Sequence, residues 1–152
     1  MDSNYKLVRR IMLATNKIDG VYYLFGKRRG ISANKLAFLY ALSDGETHSQ
    51  KEISDEWLMP RTTVNSTVKQ LLAEGYIEFC YEGRKKEKAL RLTDVGKAFA
   101  EDLFAGIFNA EEKAITDTLQ NFPPEFVTAL EMFCDALIEQ SEKETKPDGT
   151  EA

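Results

Sequence analysis

Apolar residues recur at three- and four-residue spacing along most of this chain, and the period changes to alternation after Gly75. Val8, Ile11, Thr15, Ile18, Tyr22 and Phe25 mark one long helix from about Tyr5 to Phe25. Leu7, Met12, Leu13, Val21 and Leu24 widen its stripe, and a helix apolar over more than one stripe is expected to be buried on two sides. Lys27-Arg28-Arg29-Gly30 ends it, with cations where the carbonyl end of the helix dipole favours them. That capping role is preferred to a phosphate contact for this triplet. Ser32 can cap a second helix, Ala33 to Leu42. Its Leu36, Leu39 and Leu42 face inward with Phe38 and Tyr40 beside them, and Asp44-Gly45 breaks it.

Ser49 to Thr93 predicts two short helices joined by a turn, then a two-stranded ribbon with a basic tip. Ser49 and Glu52 stand at capping-box spacing, and Ile53 and Trp57 fall four apart on one face. Leu58-Met59-Pro60 breaks the first helix, because proline lacks the N–H and disfavours helical geometry in the residue before it. The second helix runs from about Arg61 to a C′ glycine at Gly75. Val64, Val68, Leu71 and Leu72 form its apolar face; Thr62, Asn65, Ser66 and Lys69 lie opposite, with Arg61 at the start and no acid before Glu74. Tyr76–Tyr81 and Ala89–Leu92 then read as paired strands around a turn, Glu82–Lys88, that carries Gly83 and four bases.

Thr93 can cap a further helix, roughly Asp94 to Phe108, on the spacing of Val95, Phe99, Leu103 and Ile107. Asn109 is a place to kink or restart it, with Ala114, Ile115 and Leu119 carrying the stripe to Phe122. Pro123 and Pro124 stop it. The last helix, about Glu125 to Gln140, shows Phe126, Leu130, Phe133 and Leu137 on one face. The tail 141–152 is polar and expected to be disordered. The fold class is therefore mainly α with a small β wing: a winged helix-turn-helix domain (31–93) flanked by an N-terminal dimerisation helix (1–30) and C-terminal dimerisation helices (94–140). The end helices carry more apolar surface than a small winged helix can cover, which points to a homodimer; an intramolecular bundle in a monomer is the alternative.

Composition narrows the function. Hydrophobic residues make up 43% of the 152 and charged residues 30%, a globular balance, and the longest apolar run, Leu36–Leu42, is far too short to span a bilayer. The polar start, Met1–Asn4, is followed by no signal-peptide pattern, and no membrane role is expected. Cys80 and Cys134 lie far apart with no CxxC, so they form neither a disulfide scaffold nor a zinc site and read as small apolar fillers in a reducing cytoplasm. Lone His48 is a surface residue rather than a ligand. No cofactor is implied. The net charge of −5 disfavours nucleic acid only until its distribution is seen. Residues 60–97 carry eight bases against five acids, and residues 111–152 eleven acids against three bases. With a screening length of about 8 Å near physiological salt, an acidic end need not cancel a local basic surface.

Helix, turn, helix and basic hairpin form a winged helix-turn-helix, whose physical logic suits double-stranded DNA. The element order resembles the MarR family of bacterial transcription regulators. The likeness is carried by Ser49-Gln50-Lys51-Glu52-Ile53, by Arg61-Thr62-Thr63-Val64-Asn65, by Leu71-Leu72-Ala73-Glu74-Gly75-Tyr76-Ile77, and by Leu90-Arg91-Leu92-Thr93-Asp94-Val95-Gly96 with its L-T-x-x-G pattern. The family often has Asp-x-Arg in the wing where this chain has Arg84 and Lys86, so the brace for the minor-groove arginine is missing. Arg84 and Lys86 are the candidates for the minor groove, with Lys85 and Lys88 as phosphate contacts. Arg61 can bond guanine or phosphate, and Asn65 can pair with adenine; Thr62, Thr63, Ser66 and Lys69 are expected to position the backbone. A two-fold dimer would read an inverted-repeat operator.

The resemblance further implies a repressor that responds to a small ligand, often a phenolic or lipophilic anion held between the DNA-binding lobe and the dimerisation helices. Tyr22, Tyr23 and Phe25 could line such a pocket, although core or dimer packing is the preferred reading of these three. Peroxide-sensing members place a reactive cysteine near the amino terminus, where this chain has none. An enzyme is not expected: there is no phosphate loop, metal cluster or Gly-x-Ser-x-Gly, and only one histidine. The competing class is a winged helix used for protein–protein contact without DNA.

Overall fold

The computed structural model describes residues 3–81 and 88–145. Its elements run α1 (Ser3–Arg29), α2 (Ala33–Ala41), β1 (His48–Ser49), α3 (Gln50–Glu56), α4 (Arg61–Ala73), β2 (Ile77–Cys80), β3 (Ala89–Leu92), α5 (Asp94–Leu119) and α6 (Glu125–Thr145). They divide into two compact units, residues 1–107 and 108–152. The mostly helical chain with a small antiparallel sheet is the expected fold class.

The core of the first unit gathers the apolar faces of α2, α3, α4 and α5 around the sheet. Phe38 and Phe104 are the largest side chains wholly inside it. Phe38 was expected beside the inward leucines of α2, yet it is as deeply buried as Leu39. Ser32 caps α2 by accepting the Lys35 N–H. At the end of α1, Gly30 is left-handed at φ +69°. Arg29 there donates to the Asp102 carbonyl at 3.1 Å and lies 3.6 Å from the Asp102 carboxylate, which ties α1 to α5.

The sheet has three strands in the order β1-β3-β2, all antiparallel, rather than the two expected. The additional strand is two residues long, too short for any alternation to register; its pairing of His48 with Leu90 and Ser49 with Ala89 defines it. His48 is half-buried, with Nε2 2.8 Å from Asp44 Oδ2, and is less exposed than the sequence suggests. Ser49 ends β1 and caps α3: its Oγ accepts the Glu52 N–H at 3.1 Å, and the Glu52 carboxylate accepts the Ser49 N–H at 2.6 Å.

After α3 the turn is tight. Leu58 takes a left-handed φ of +47°, and Ser54 braces the loop by accepting the Met59 N–H on its carbonyl and donating its hydroxyl to the Met59 carbonyl at 2.7 Å. Pro60 then precedes α4, whose N-terminal N–H groups need no partner from within the helix. α4 buries Val64, Thr67, Val68 and Leu71. Its end is a Schellman motif: Gly75 at φ +74° donates to the Leu72 carbonyl, and Tyr76 to the Leu71 carbonyl at 3.0 Å.

Thr93 joins wing to α5. Its hydroxyl donates to the Gly75 carbonyl at 2.6 Å and accepts the Gly96 N–H at 3.0 Å. The buried stripe of α5 is Gly96, Ala100, Leu103, Phe104 and Ile107: Leu103 and Ile107 are inside as expected, whereas Phe99 is half-buried and Val95 is 64% exposed. A strict four-residue repeat drifts around a 3.6-residue helix, so Val95 cannot share a line with Ile107.

The second unit begins at Phe108, within α5, which runs on to Leu119 without a break at Asn109. Phe122 and Asn121 donate back to the Thr118 carbonyl, and the carbonyls of Pro123 and Pro124 receive the N–H groups of Phe126 and Val127 at the start of α6. α6 extends to Thr145, five residues beyond the expected end at Gln140. Lys143 pairs with Glu139 one turn back, and Thr145 donates to the Ser141 carbonyl, so polar side chains prolong the helix. Cys134 is exposed on α6, so it is not a buried filler; Cys80 in β2 is half-buried with its thiol 3.5 Å from the Ala89 carbonyl. Among the described residues, no helix is long and apolar enough to cross a membrane.

Candidate nucleic-acid interface

α4 is two-faced because its sequence is. Val64, Val68 and Leu71 lie inside at 3% exposure or less, which turns Arg61, Thr62, Asn65, Ser66 and Lys69 outward. Thr63 is half-buried, and its carbonyl receives the Ser66 hydroxyl at 3.0 Å, so that hydroxyl is held against its own helix. Among the described residues, Arg61 and Lys69 form no ion pair. The neighbouring acids are paired elsewhere: Glu74 with Lys35 at 2.6 Å, Glu78 with Arg91 at 2.8 Å and Asp55 with Lys51 at 2.8 Å. Glu78 and Arg91 face each other across β2 and β3, and the hydrogen bond from Arg91 raises that guanidinium's pKa further. These three acids thus neutralise other bases rather than Arg61 or Lys69.

A notch of about 180 Å³ lies where α3 meets the start of α4, lined by Gln50, Lys51, Arg61, Val64 and Asn65. Arg61 and Asn65 are therefore brought together with two α3 residues the sequence reading did not single out. Lys51 lies opposite Ile53 on its helix, but Gln50, three residues before Ile53, shares its side, so the sequence alone does not group the two with Arg61. The Asp55 carboxylate is held below its ordinary pKa, first by the hydrogen bond from Lys51 and then by the charges of Lys51 and Arg61.

On the wing, Lys88 is exposed at the start of β3 with its ammonium 5.2 Å from the centre of the Phe79 ring, a cation–π distance. Arg84, Lys85 and Lys86 lie outside the described residues.

A second concavity lies in the same unit. Ile18, Asp19, Tyr22 and Tyr23 of α1, Ala33, Leu36, Ala37 and Tyr40 of α2, and Trp57 enclose a cleft of about 540 Å³. Tyr40 stands edge-on to Tyr22 at 5.9 Å and to Trp57 at 5.8 Å. Tyr22 and Tyr23 thus line a pocket, and Tyr22 also packs against the core, the role preferred for it above. Phe25 does not; it packs at the edge of the core beneath the Arg29 guanidinium.

Comparison with known proteins agrees with this architecture. The MarR family model matches residues 29–85, which span α2 to the wing. No match is found among curated proteins. Among solved structures, a MarR family regulator from Neisseria meningitidis is 28% identical, with 95% of this chain and 96% of that one aligned at a TM-score of 0.68. A MarR family transcriptional regulator from Silicibacter pomeroyi DSS-3 is 20% identical, with 86% and 94% aligned at 0.68. The transcription regulator MarR from Oenococcus oeni PSU-1 is 18% identical, with 88% and 98% aligned at 0.67. By the match over residues 29–85 and by a fold shared along nearly its whole length, this chain is similar to the MarR family of regulators.

Proposed function

We propose that this protein is a transcription regulator that binds double-stranded DNA as a homodimer and represses its targets until a small effector enters the Tyr22–Trp57 cleft. The observation that carries the DNA-binding reading is the α4 face: exposed Arg61, Thr62, Asn65, Ser66 and Lys69 over a buried apolar side, with no acid until Glu74. A helix about 10–12 Å across fits a major groove roughly 12 Å wide. Arg61 would read guanine or hold phosphate, Asn65 would pair with adenine, and Thr62, Thr63, Ser66 and Lys69 would set the helix on the backbone. Gln50 and Lys51 join this surface as backbone contacts through the shared notch. Arg84 and Lys86 would enter the minor groove, with Lys85 and Lys88 on phosphates. The likeness to the MarR family supports the same role, and also a cytoplasmic, non-enzymatic protein.

A single helix reads few base pairs, so two copies on an inverted repeat with half-sites about 34–36 Å apart give useful affinity. Each unit leaves apolar residues for such pairing: Leu13, Ile18 and Leu24 on α1, and Leu119, Leu130 and Leu137 on α5 and α6. A dimer seated on an operator blocks transcription, and the cleft supplies a place from which an effector can end that block. Trp57, its wall, caps α3 only four residues before Arg61.

The test begins with selection of bound genomic fragments and footprinting of the operator. Asn65→Ala then loses about 1–3 kcal/mol of discrimination at one adenine. Lys86→Ala lowers operator affinity by removing a minor-groove cation. If neither substitution changes operator affinity, the site assignment fails; if no duplex binds at any ionic strength, the protein is the interaction module instead.

A further inference from the structure

We infer that the Tyr22–Trp57 cleft takes an organic cation with an apolar body. The inference rests on the reading above that the cleft holds an effector, and it names the chemical class. At about 540 Å³ the space lies within the roughly 300–1,000 Å³ usual for small-molecule sites. Its walls include four aromatic side chains, Tyr22, Tyr23, Tyr40 and Trp57, and its one carboxylate is Asp19. Among the described residues, no lysine, arginine or histidine lines it. The faces of aromatic rings carry negative charge density and attract cations, most strongly when the cation is stripped of water. Asp19 adds a full negative charge at the rim, where its side chain is exposed. An acidic phenol or lipophilic anion would enter beside that carboxylate and find no basic partner in the wall, so the charge of this cleft opposes the anionic class that the family resemblance implied.

Occupancy has a direct route to α4. Trp57 closes the cleft and donates its backbone N–H to the Ile53 carbonyl as the cap of α3. Leu58, in its left-handed conformation, and Pro60 complete the turn into Arg61. A ligand that displaces the indole acts on this turn, which the two Ser54–Met59 hydrogen bonds hold in one arrangement.

Trp57 is the one tryptophan of the chain, so its fluorescence reports the cleft directly. The full-length protein is titrated, without DNA, against tetraphenylphosphonium and tetraphenylborate, ions of matched shape and opposite charge. The cation is expected to quench saturably and to bind tighter than the anion. Asp19→Asn is expected to weaken the cation by up to about fivefold, the order of one exposed charge pair, and to relieve the anion by a similar factor, so the preference narrows by their product, and Asp19→Lys narrows it more. Tighter or equal binding of the anion overturns the cation assignment while the effector reading stands. An unchanged preference in both Asp19 variants overturns it too. Failure of both probes to bind removes the cleft as an effector site altogether, and duplex binding, measured separately, is untouched by any of these outcomes.

Discussion

Gly96 lies so close to Tyr76 that a β-carbon on it would stand 1.8 Å from the Tyr76 carbonyl oxygen. The contact is backbone against backbone, so no side chain can rotate away. Gly106, further along the same helix, has nothing within 4 Å of the same added atom. One substitution should therefore have opposite signs at the two positions. Gly96→Ala must push α5 off the β2 end of the sheet and costs about 3 kcal/mol or more. Gly106→Ala removes a helix-interior glycine and gains about 0.5–1 kcal/mol. Urea unfolding of the two variants, with slopes compared, checks both; equal midpoints would refute the close approach.

Thr93 works on the same junction from the other side. Its hydroxyl bridges the Gly75 carbonyl, at the end of α4, and the Gly96 N–H, at the start of α5. Thr93→Val keeps the shape and removes both hydrogen bonds, for an expected loss of about 1–3 kcal/mol. Thr93→Ser should retain most of the stability, and thermal melts of the pair separate lost hydrogen bonding from lost volume.

These junctions also show which parts of the fold were legible beforehand. Ser49 with Glu52, Ser32, Pro60 and Gly75 act within four residues of themselves, so local spacing was enough to place the ends of α3, α2 and α4. The L-T-x-x-G segment was visible as a pattern, but its reason, the Gly96 approach to Tyr76, depends on residues 20 apart. β1 was invisible because two residues have no period, and only Leu90 and Ala89 make them a strand. Leu58 at φ +47° runs against the usual preference of leucine, and the Ser54 brace is what holds it there. The α4 face was readable because a helix with one apolar side must expose the other. Gln50 and Lys51 were not, since the packing of α3 on α4 brings them beside Arg61.

Asp55 offers a test of charge near that face. Its carboxylate is depressed below its ordinary value of 3.8, chiefly by the Lys51 hydrogen bond. A depressed acid contributes stability that is present above the unfolded pKa and is lost as pH falls through the lower, folded one. Asp55→Asn should thus melt slightly below the parent at neutral pH, and the gap should close below about pH 4. The group is exposed to solvent, so the gap will be small. The larger effect is expected on DNA: the variant removes the negative charge that pairs with Lys51 and stands beside Arg61. Duplex affinity should rise, and the salt slope should steepen by up to about 0.9 if Lys51 then meets a phosphate. Unchanged affinity and slope across the salt series would place this corner of α3 away from the nucleic acid.

The apolar surface of α6 bears on assembly. None of its residues is buried, and Leu130, Leu137 and Ile138 stand 41%, 50% and 37% exposed. Water contact on that scale is unfavourable for a helix of 21 residues, and a second copy of the chain is the proposed cover. Leu130→Glu places a charge where an apolar anchor is expected. A buried anchor of this kind is worth about 2 kcal/mol or more, so association should weaken roughly 30-fold. Sedimentation velocity over a dilution series reads this as a shift from dimer to monomer, with circular dichroism confirming that helix content is kept. Operator affinity should fall with it, because two linked half-sites become one. A parent protein that sediments as a monomer at every concentration would leave the inverted-repeat reading without its physical basis.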